Sequence, residues 1–261
     1  MKLRLTLAYD GEPFAGWQSQ KSGNTVQDHL EAVIGQISRQ RIPVHGSGRT
    51  DAGVHALGQV AHFSPPGDLR MRPEEWQRAL NAYLPARIRV MACRVVADSF
   101  HARFSASGKH YRYRICNQSV LPPHEAGRAW HLPLPLDVGR LRQVTEWYLG
   151  SHDFRSFAAN RGKVEADTVR TITRADWRGG RNLRLDIEGN GFLYKMVRLL
   201  VGAAVRVAQG KAEPEWVRDL LERPGSGRNA FVAPAGGLCL VKVRYSIPSS
   251  ERSPESRADP G

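Results

Sequence analysis

The amino end of the chain alternates apolar and polar residues. Leu3, Leu5 and Leu7 stand between charged or polar neighbours, and a period of two is typical of a strand that buries one face. Apolar residues at helical spacing follow Thr25, a residue type that caps helices, and Pro73, which favours a first helical turn. The first part of the chain is therefore predicted to hold strands over residues 2–9, 42–45, 59–63 and 88–96, and helices over residues 25–38 and 73–83.

A similar order of elements recurs in the second part of the chain. Strands are predicted over residues 109–116, 169–177, 182–188 and 238–245, and helices over residues 137–149, 192–208 and from residue 214 onward. Two such sets favour two α+β halves, over residues 1–104 and 105–245, whose sheets join edge to edge. Residues 246–261 are rich in Ser, Pro and charge and are predicted to form a disordered tail.

Charge changes this picture by pointing to a partner. The 261 residues hold 38 Lys+Arg against 25 Asp+Glu, a net charge of +13. Such a protein suits a polyanion, nucleic acid first, although a basic composition also fits simple solubility. The three cysteines are too isolated for a disulfide framework or a zinc site, which favours a reducing cytoplasm. The longest apolar run, residues 199–205, is too short to span a membrane.

Residues 45–55 hold the densest set of functional residue types. Between two predicted strands, small residues permit close approach to a ligand, and Arg49 and Asp51 are presented on a loop. A Gly-rich turn in which Asp51 caps a local group is an equally good interpretation. The spacing fits neither nucleotide-binding glycine motif, and the nearby histidines are too scattered to predict a metal site.

A second group of residues combines positive charge with aromatic rings. Residues 99–124 contain four Lys or Arg and no Asp or Glu, a mixture that suits phosphates and unpaired bases of RNA. On a strand, Tyr111 and Tyr113 share one face and Arg112 and Arg114 the other. The alternative is that the tyrosines are core and the arginines solvated, and we expect one of the two tyrosines to be core.

Arg198 is the third candidate, because it falls within an apolar helix. A buried guanidinium is costly unless it is paired. Asp51 is an attractive partner, but any acid on the neighbouring sheet could serve structurally.

Several short motifs together resemble those of one family. They are Tyr9-Asp10-Gly11, Gly16-Trp17-Gln18, Gly48-Arg49-Thr50-Asp51-Ala52-Gly53-Val54-His55, Gly58-Gln59-Val60, Phe100-His101-Ala102-Arg103-Phe104-Ser105-Ala106, Tyr111-Arg112-Tyr113, Met196-Val197-Arg198 and Gly237-Leu238. In these motifs the chain is similar, from about residue 3 to residue 245, to the tRNA pseudouridine synthase A (TruA) family. Residues 48–55 are the most specific part of the resemblance.

The resemblance implies an isomerase that converts uridine to pseudouridine at positions 38, 39 and 40 in the anticodon stem-loop of tRNA, without metal or cofactor. The family's catalytic aspartate corresponds to Asp51, and its arginine partner to Arg198. A carboxylate can attack C1′ of the ribose or C6 of the base, or remove the C2′ proton on the way to a glycal. The sequence leaves these routes open.

The resemblance also assigns substrate contacts and an assembly. Tyr111 would stack on the target base, Arg49 would help to flip it, and Arg70 would contact RNA. The tRNA-contacting segment of the family corresponds to Phe100, His101, Ala102, Arg103 and Phe104. The implied fold has two ferredoxin-like (RRM-like) halves whose sheets form one extended, mostly antiparallel sheet, with helices packed on it and the site in a cleft between the halves, in a homodimer.

Two rival functions follow from the same residues. A non-catalytic RNA-binding module would need the basic residues but not Asp51 or Arg198. An enzyme of phosphate chemistry would hold magnesium with Asp51, but no convincing set of further carboxylates stands near it in the sequence.

Overall fold

The computed structural model describes residues 1–67, 69–160 and 166–246. The strands of these ranges are β1 (Lys2–Tyr9), β2 (His45–Gly46), β3 (His55–Phe63), β4 (Ile88–Val96), β5 (Ala106–Cys116), β6 (Trp130–His131), β7 (Gly150–Asp153), β8 (Val169–Arg178), β9 (Asn182–Gly189) and β10 (Leu238–Tyr245). The α-helices are α1 (Val26–Ser38), α2 (Pro73–Tyr83), α3 (Val138–Glu146), α4 (Met196–Ala208) and α5 (Pro214–Glu222). The predicted tail lies, apart from Ser246, outside the described residues.

The described strands form one sheet in the order β4-β1-β3-β10-β5-β9-β8-β7, with β2 on β3 and β6 on β5. Its pairs are antiparallel except for β10 with β3 and β5 with β6. Strands of the first half meet strands of the second at the β3–β10 seam, where Cys239 pairs with His55 and Leu240 with Ala56. The predicted α+β fold with joined sheets is therefore confirmed, whereas the domain boundary at residue 104 stays a prediction.

Three elements differ from their predicted bounds. The strand predicted over residues 42–45 pairs only from His45 onward, because Pro43 has no N–H to donate to a ladder. β3 begins at His55, four residues before its predicted start. The helix predicted from residue 192 begins at Met196, because Lys195 takes a left-handed backbone (φ 58°) and ends the preceding turn.

Period-two alternation gives the sheet its buried face. Leu3, Leu5 and Leu7 have no exposed surface, as the amino-terminal pattern predicts. On β5, Tyr111 and Tyr113 are buried while Arg112 and Arg114, on the other face, are partly exposed. The predicted helix cap is also present, since Thr25 and Asp28 form a reciprocal capping box at the start of α1. No helix in the described ranges is long and apolar enough to cross a membrane.

Candidate active site

The loop between β2 and β3 is held from below by a buried glutamine. Gln59 of β3 is fully buried; its amide Nε2 donates to the Gly48 carbonyl at 2.9 Å, and its Oε1 accepts from the Ser47 hydroxyl at 2.7 Å. Tyr9 of β1 adds a hydrogen bond of 2.8 Å to the Thr50 hydroxyl. These bonds satisfy polar groups that burial would otherwise penalise, and they fix residues 47–50 on the sheet.

A second support comes from the segment before α1. The Trp17 N–H donates to the Thr50 carbonyl at 3.0 Å. Gly16 has φ +94°, and a Cβ there would lie 2.6 Å from the Thr50 oxygen. A side chain at residue 16 would therefore meet both backbone strain and a clash, so glycine is required for this close approach.

Asp51 and Arg198 form an ion pair in the resulting cleft. Arg198 Nη1 donates to Asp51 Oδ2 at 3.0 Å, and the two side chains are 13% and 15% exposed respectively. Arg198 Nε donates to the Ala233 carbonyl at 2.7 Å, which fixes the plane of the guanidinium. Because α4 begins at Met196, Arg198 lies in its first turn rather than in mid-helix as predicted. The structure thus brings together the loop carboxylate and the buried arginine.

Tyr111 lines the same cleft, whereas Tyr113 belongs to the core. The Tyr111 ring meets Phe192 edge to face at 5.3 Å between centroids, and burial raises the pKa of its hydroxyl well above the ordinary range. Tyr113 is fully buried and donates to the Pro234 carbonyl at 2.8 Å. Tyr113 is therefore core, as predicted for one of the two tyrosines. Tyr111 is only 7% exposed and packs with the core as well, but it also lines the cleft.

Arg49 lies at the rim of the cleft. Its Nε donates to Gln18 Oε1 at 3.0 Å, and Gln18 in turn donates to Gln27 at the start of α1. This chain of bonds aims an exposed guanidinium beside the Asp51 loop. Arg70, by contrast, is exposed in the segment before α2 and does not line the cleft.

The structure divides the segment from Phe100 to Phe104. His101, Arg103 and Phe104 line the cleft, and Phe104 is 76% exposed. Phe100 instead packs against Tyr245 at 5.1 Å. Ala102 has no exposed surface, so its side chain offers nothing to RNA in this conformation.

His101 and His62 accept hydrogen bonds from the backbone of this segment. Nδ1 of His101 accepts from the N–H groups of Arg103 and Phe104, and Nδ1 of His62 accepts from the Ala102 N–H at 3.1 Å. Burial lowers the pKa of His62 to about 4, with the charges of neighbouring groups acting in the same direction. The neutral imidazoles therefore serve as hydrogen-bond acceptors that shape the turn.

Arg112 and Arg114 do not reach the cleft. Arg112 Nη2 lies 2.9 Å from Asp186, and Arg114 pairs with Glu125. Strand alternation puts both on the face of β5 opposite Tyr111. The basic stretch of residues 99–124 thus serves two faces of the sheet, and only Arg103 and Lys109 of its four cations line the cleft.

The complete cleft has a volume of about 1300 Å³, and several of its lining residues were not predicted as site residues. Three of them are Lys109, Arg170 and Phe192. Strand alternation could have identified Lys109, which lies two residues before Tyr111. Arg170 and Phe192 are brought in from β8 and from the turn before α4, and no local pattern marks them. Among the described residues no group of three His, Cys, Asp or Glu could hold a metal ion.

Comparison with known proteins defines the class. A family model described as tRNA pseudouridine synthase matches residues 6–105 and 145–246. A protein named tRNA pseudouridine synthase A from Akkermansia muciniphila is 45% identical over 251 residues, which cover 94% of this chain and 95% of the relative. The chain belongs to the tRNA pseudouridine synthase family.

Other relatives carry the same name. Those of Maridesulfovibrio salexigens and Bacillus subtilis are 43% and 42% identical, each over 94% of this chain, and cover 90% and 99% of the relative. Among solved structures, a chain of a Cbf5–Nop10–Gar1 complex is 13% identical with a TM-score of 0.36, covering 78% of this chain and 44% of that chain. A similarity that low supports no conclusion about the site.

Proposed function

We propose that this protein isomerises uridine to pseudouridine in tRNA, at positions 38, 39 and 40 of the anticodon stem-loop, with Asp51 as the nucleophile. The observation that carries the proposal is the Asp51–Arg198 pair at the base of a cleft whose walls hold an aromatic ring and several cations. Membership of the family supports the reaction, and the resemblance of the motifs around Asp51 supports the residue.

The reaction needs few groups. Uridine and pseudouridine are isomers: the N1–C1′ bond breaks, a C5–C1′ bond forms, C5 gives up its proton and N1 gains one. A carboxylate held near the ribose can supply the nucleophile for the detaching step. The hydrogen bond from Arg198 orients Asp51, and the bond of Arg198 to Ala233 removes the freedom that would let it swing away.

Substrate binding follows from the other cleft residues. A base in a stem is stacked and paired, so the enzyme must extrude it at a cost of a few kcal/mol. Arg49, at the rim of the cleft, assists that extrusion. Tyr111 packs on the flipped base. Arg103 and Phe104 supply a charge and an exposed ring for the surrounding RNA.

An Asp51→Asn variant tests the proposal. Asparagine keeps the shape of the side chain but is not a carboxylate nucleophile. We expect tRNA affinity to stay within about threefold of wild type, and pseudouridine formation to fall by at least about 10³-fold. Nucleoside mass spectrometry of an unmodified tRNA transcript, incubated without added metal, gives the readout. Pseudouridine formed at the wild-type rate would refute the catalytic assignment.

The same experiment separates the rival of a non-catalytic RNA-binding module. Such a module would bind the transcript in both forms of the protein and make pseudouridine in neither. An enzyme of phosphate chemistry would likewise make no pseudouridine with either form of the protein.

The finer features of assembly belong to the proposal as well. We propose a homodimer that works in the cytoplasm without metal or cofactor. A groove on the face of the sheet away from Asp51 supports the dimer, because it exposes Leu57 and Met91, each 57% exposed, beside Arg112 and Arg114. The three free cysteines fit a reducing compartment. Light scattering that gave the mass of one 29.1 kDa chain at micromolar concentration would refute the dimer.

A further inference from the structure

Lys109 occupies a place in the cleft that the reaction chemistry leaves unused. It is half-buried on β5, two residues before Tyr111 and on the same face, so the two side chains start roughly 7 Å apart. Its ammonium lies against the backbone of the Asp51 loop: a Cβ at residue 48 would be 2.5 Å from Lys109 Nζ. Glycine at residue 48 therefore leaves the room that the ammonium takes.

Two charges that act on Lys109, those of Arg103 and Arg170, are of its own sign, and Arg170 also pairs with Asp167 at 3.5 Å. Burial, together with the charges of Arg103 and Arg170, lowers the pKa of Lys109 to about 8. Within the described parts of the chain, no carboxylate forms an ion pair with it. Like charges brought together in a partly desolvated site raise the free energy of the unliganded protein, and a bound anion relieves that cost.

The shape of the site selects the anion. The three cations come from different elements, the turn before β5 for Arg103, β5 for Lys109 and β8 for Arg170, and all three side chains line the cleft. In a nucleotide whose base packs on Tyr111, the phosphate lies several ångströms from the base. The side chains of Tyr111 and Lys109 are separated by a similar distance. An ammonium binds a phosphate as a point charge.

We infer that Lys109, flanked by Arg103 and Arg170, binds a backbone phosphate that flanks the target nucleotide and so holds its ribose against Asp51. The inference rests on the proposed function for the identity of the RNA. Lys109 is on this view a substrate-binding residue, distinct from a proton-transfer group.

Three variants test the inference. Lys109→Met removes the charge, Lys109→Arg keeps it, and Lys211→Gln is the control, because Lys211 is exposed beyond the end of α4. We expect Lys109→Met to weaken binding of an anticodon stem-loop RNA by about tenfold or more, the scale of a hydrogen bond to a charged group. The single-turnover rate at saturating enzyme should fall by a smaller factor. The plot of log affinity against log salt concentration should become less steep, by about one unit of slope.

The arginine variant separates the two possible roles. Arginine binds phosphate but does not give up its proton at accessible pH, so Lys109→Arg should restore affinity to within about threefold. A loss of rate with unchanged affinity in Lys109→Met, not restored by arginine, would mean proton transfer and overturn the inference. Affinity equal to that of the Lys211→Gln control would overturn it as well.

A neutralised substrate gives an independent measurement. Two RNAs are compared. Each carries one uncharged methylphosphonate, either at the linkage before the target uridine or at the linkage after it. One of them should weaken binding to the wild type but not weaken binding to Lys109→Met further. Equal losses with both proteins would contradict the contact. Wild-type protein that binds RNA but forms no pseudouridine would count against the proposed function, whereas these binding comparisons would still decide the role of Lys109. A circular dichroism melt confirms that Lys109→Met is folded.

Discussion

Asp51 and Asp186 are both paired with arginine, but their surroundings differ. Asp186 on β9 is 2% exposed; Oδ1 accepts from His110 at 2.8 Å and from Arg112 at 3.0 Å, while Arg184 lies 3.0 Å from Oδ2. Asp51 is 15% exposed, stands on a loop and opens into the cleft. Asp186 is thus covered by His110, Arg112 and Arg184. Asp51 is oriented by Arg198 and is still accessible to a substrate.

The difference shows how the same chemical pair serves two purposes. Burial acts to raise the pKa of Asp186, but the hydrogen bonds from His110 and Arg112 and the charges of Arg112 and Arg184 outweigh it and lower that pKa. An acid within a sheet whose Oδ1 accepts two hydrogen bonds, and whose Oδ2 lies in an ion pair, stabilises the fold. Asp51 lies on a loop and is oriented by a guanidinium from another element, which is an arrangement that suits a nucleophile.

The largest expected effect on stability comes from Asp186→Asn. The change leaves Arg112 and Arg184 without their shared counter-charge, so the free energy of unfolding should fall by about 3 kcal/mol. Asp51→Asn should change it by less than about 1 kcal/mol. Urea unfolding of the two variants measures both values. The comparison breaks down if Asp51→Asn proves to be the more destabilising.

Arg198→Lys sharpens the comparison from the side of the cleft. Lysine keeps the charge near Asp51, but its donors all sit on one nitrogen, so it cannot reproduce the separate bonds that Nη1 and Nε of Arg198 make to Asp51 and Ala233. We expect single-turnover pseudouridine formation to fall by about 10- to 100-fold, with tRNA affinity nearly unchanged. Arg206→Lys, near the other end of the same helix, is the matched control. An unimpaired Arg198→Lys enzyme would show that orientation by arginine is unnecessary.

The smallest effect is in the pH dependence of stability. Because the pKa of Asp186 is lowered from 3.8 on folding, the unfolded chain takes up the proton first as the pH falls. The stabilisation by Asp186 is therefore complete above about pH 5 and is lost as the pH falls below about 4. The difference in unfolding free energy between wild type and Asp186→Asn should shrink from pH 6 to pH 3. A difference that stays constant over this range would contradict the role given to Asp186.

Local sequence patterns determine much of the fold and part of the site. Alternation at Leu3, Leu5 and Leu7 and the cap at Thr25 are local signals, and the elements they predict are present. That Arg198 needs an acidic partner could also be anticipated, because a buried guanidinium is costly unless it is paired. The residues alone leave several acids open, and the family resemblance favours Asp51.

The remaining parts of the site depend on the tertiary fold. The start of α4 is set by the left-handed backbone of Lys195, a conformation that a lysine side chain does not favour by itself. Arg170 reaches the cleft because β8 lies two strands from β5 in the sheet. The burial of Ala102 likewise follows from its contact with His62 across forty residues of sequence. Such placements depend on packing between distant segments, which periodicity along the chain does not encode.

The β3–β10 seam makes the site depend on segments that are synthesised far apart in time. Among the described strands β10 is the last in chain order, yet it lies in the middle of the sheet between β3 and β5. Asp51 precedes β3, whereas Arg198 and Ala233 belong to the segment that leads to β10. On a ribosome that makes the chain from the amino end, the first half emerges with Asp51 in place but without its guanidinium. The nascent protein can therefore form the Asp51–Arg198 pair only after Arg198 has left the ribosome, and its link to Ala233 only once the segment that leads to β10 has followed.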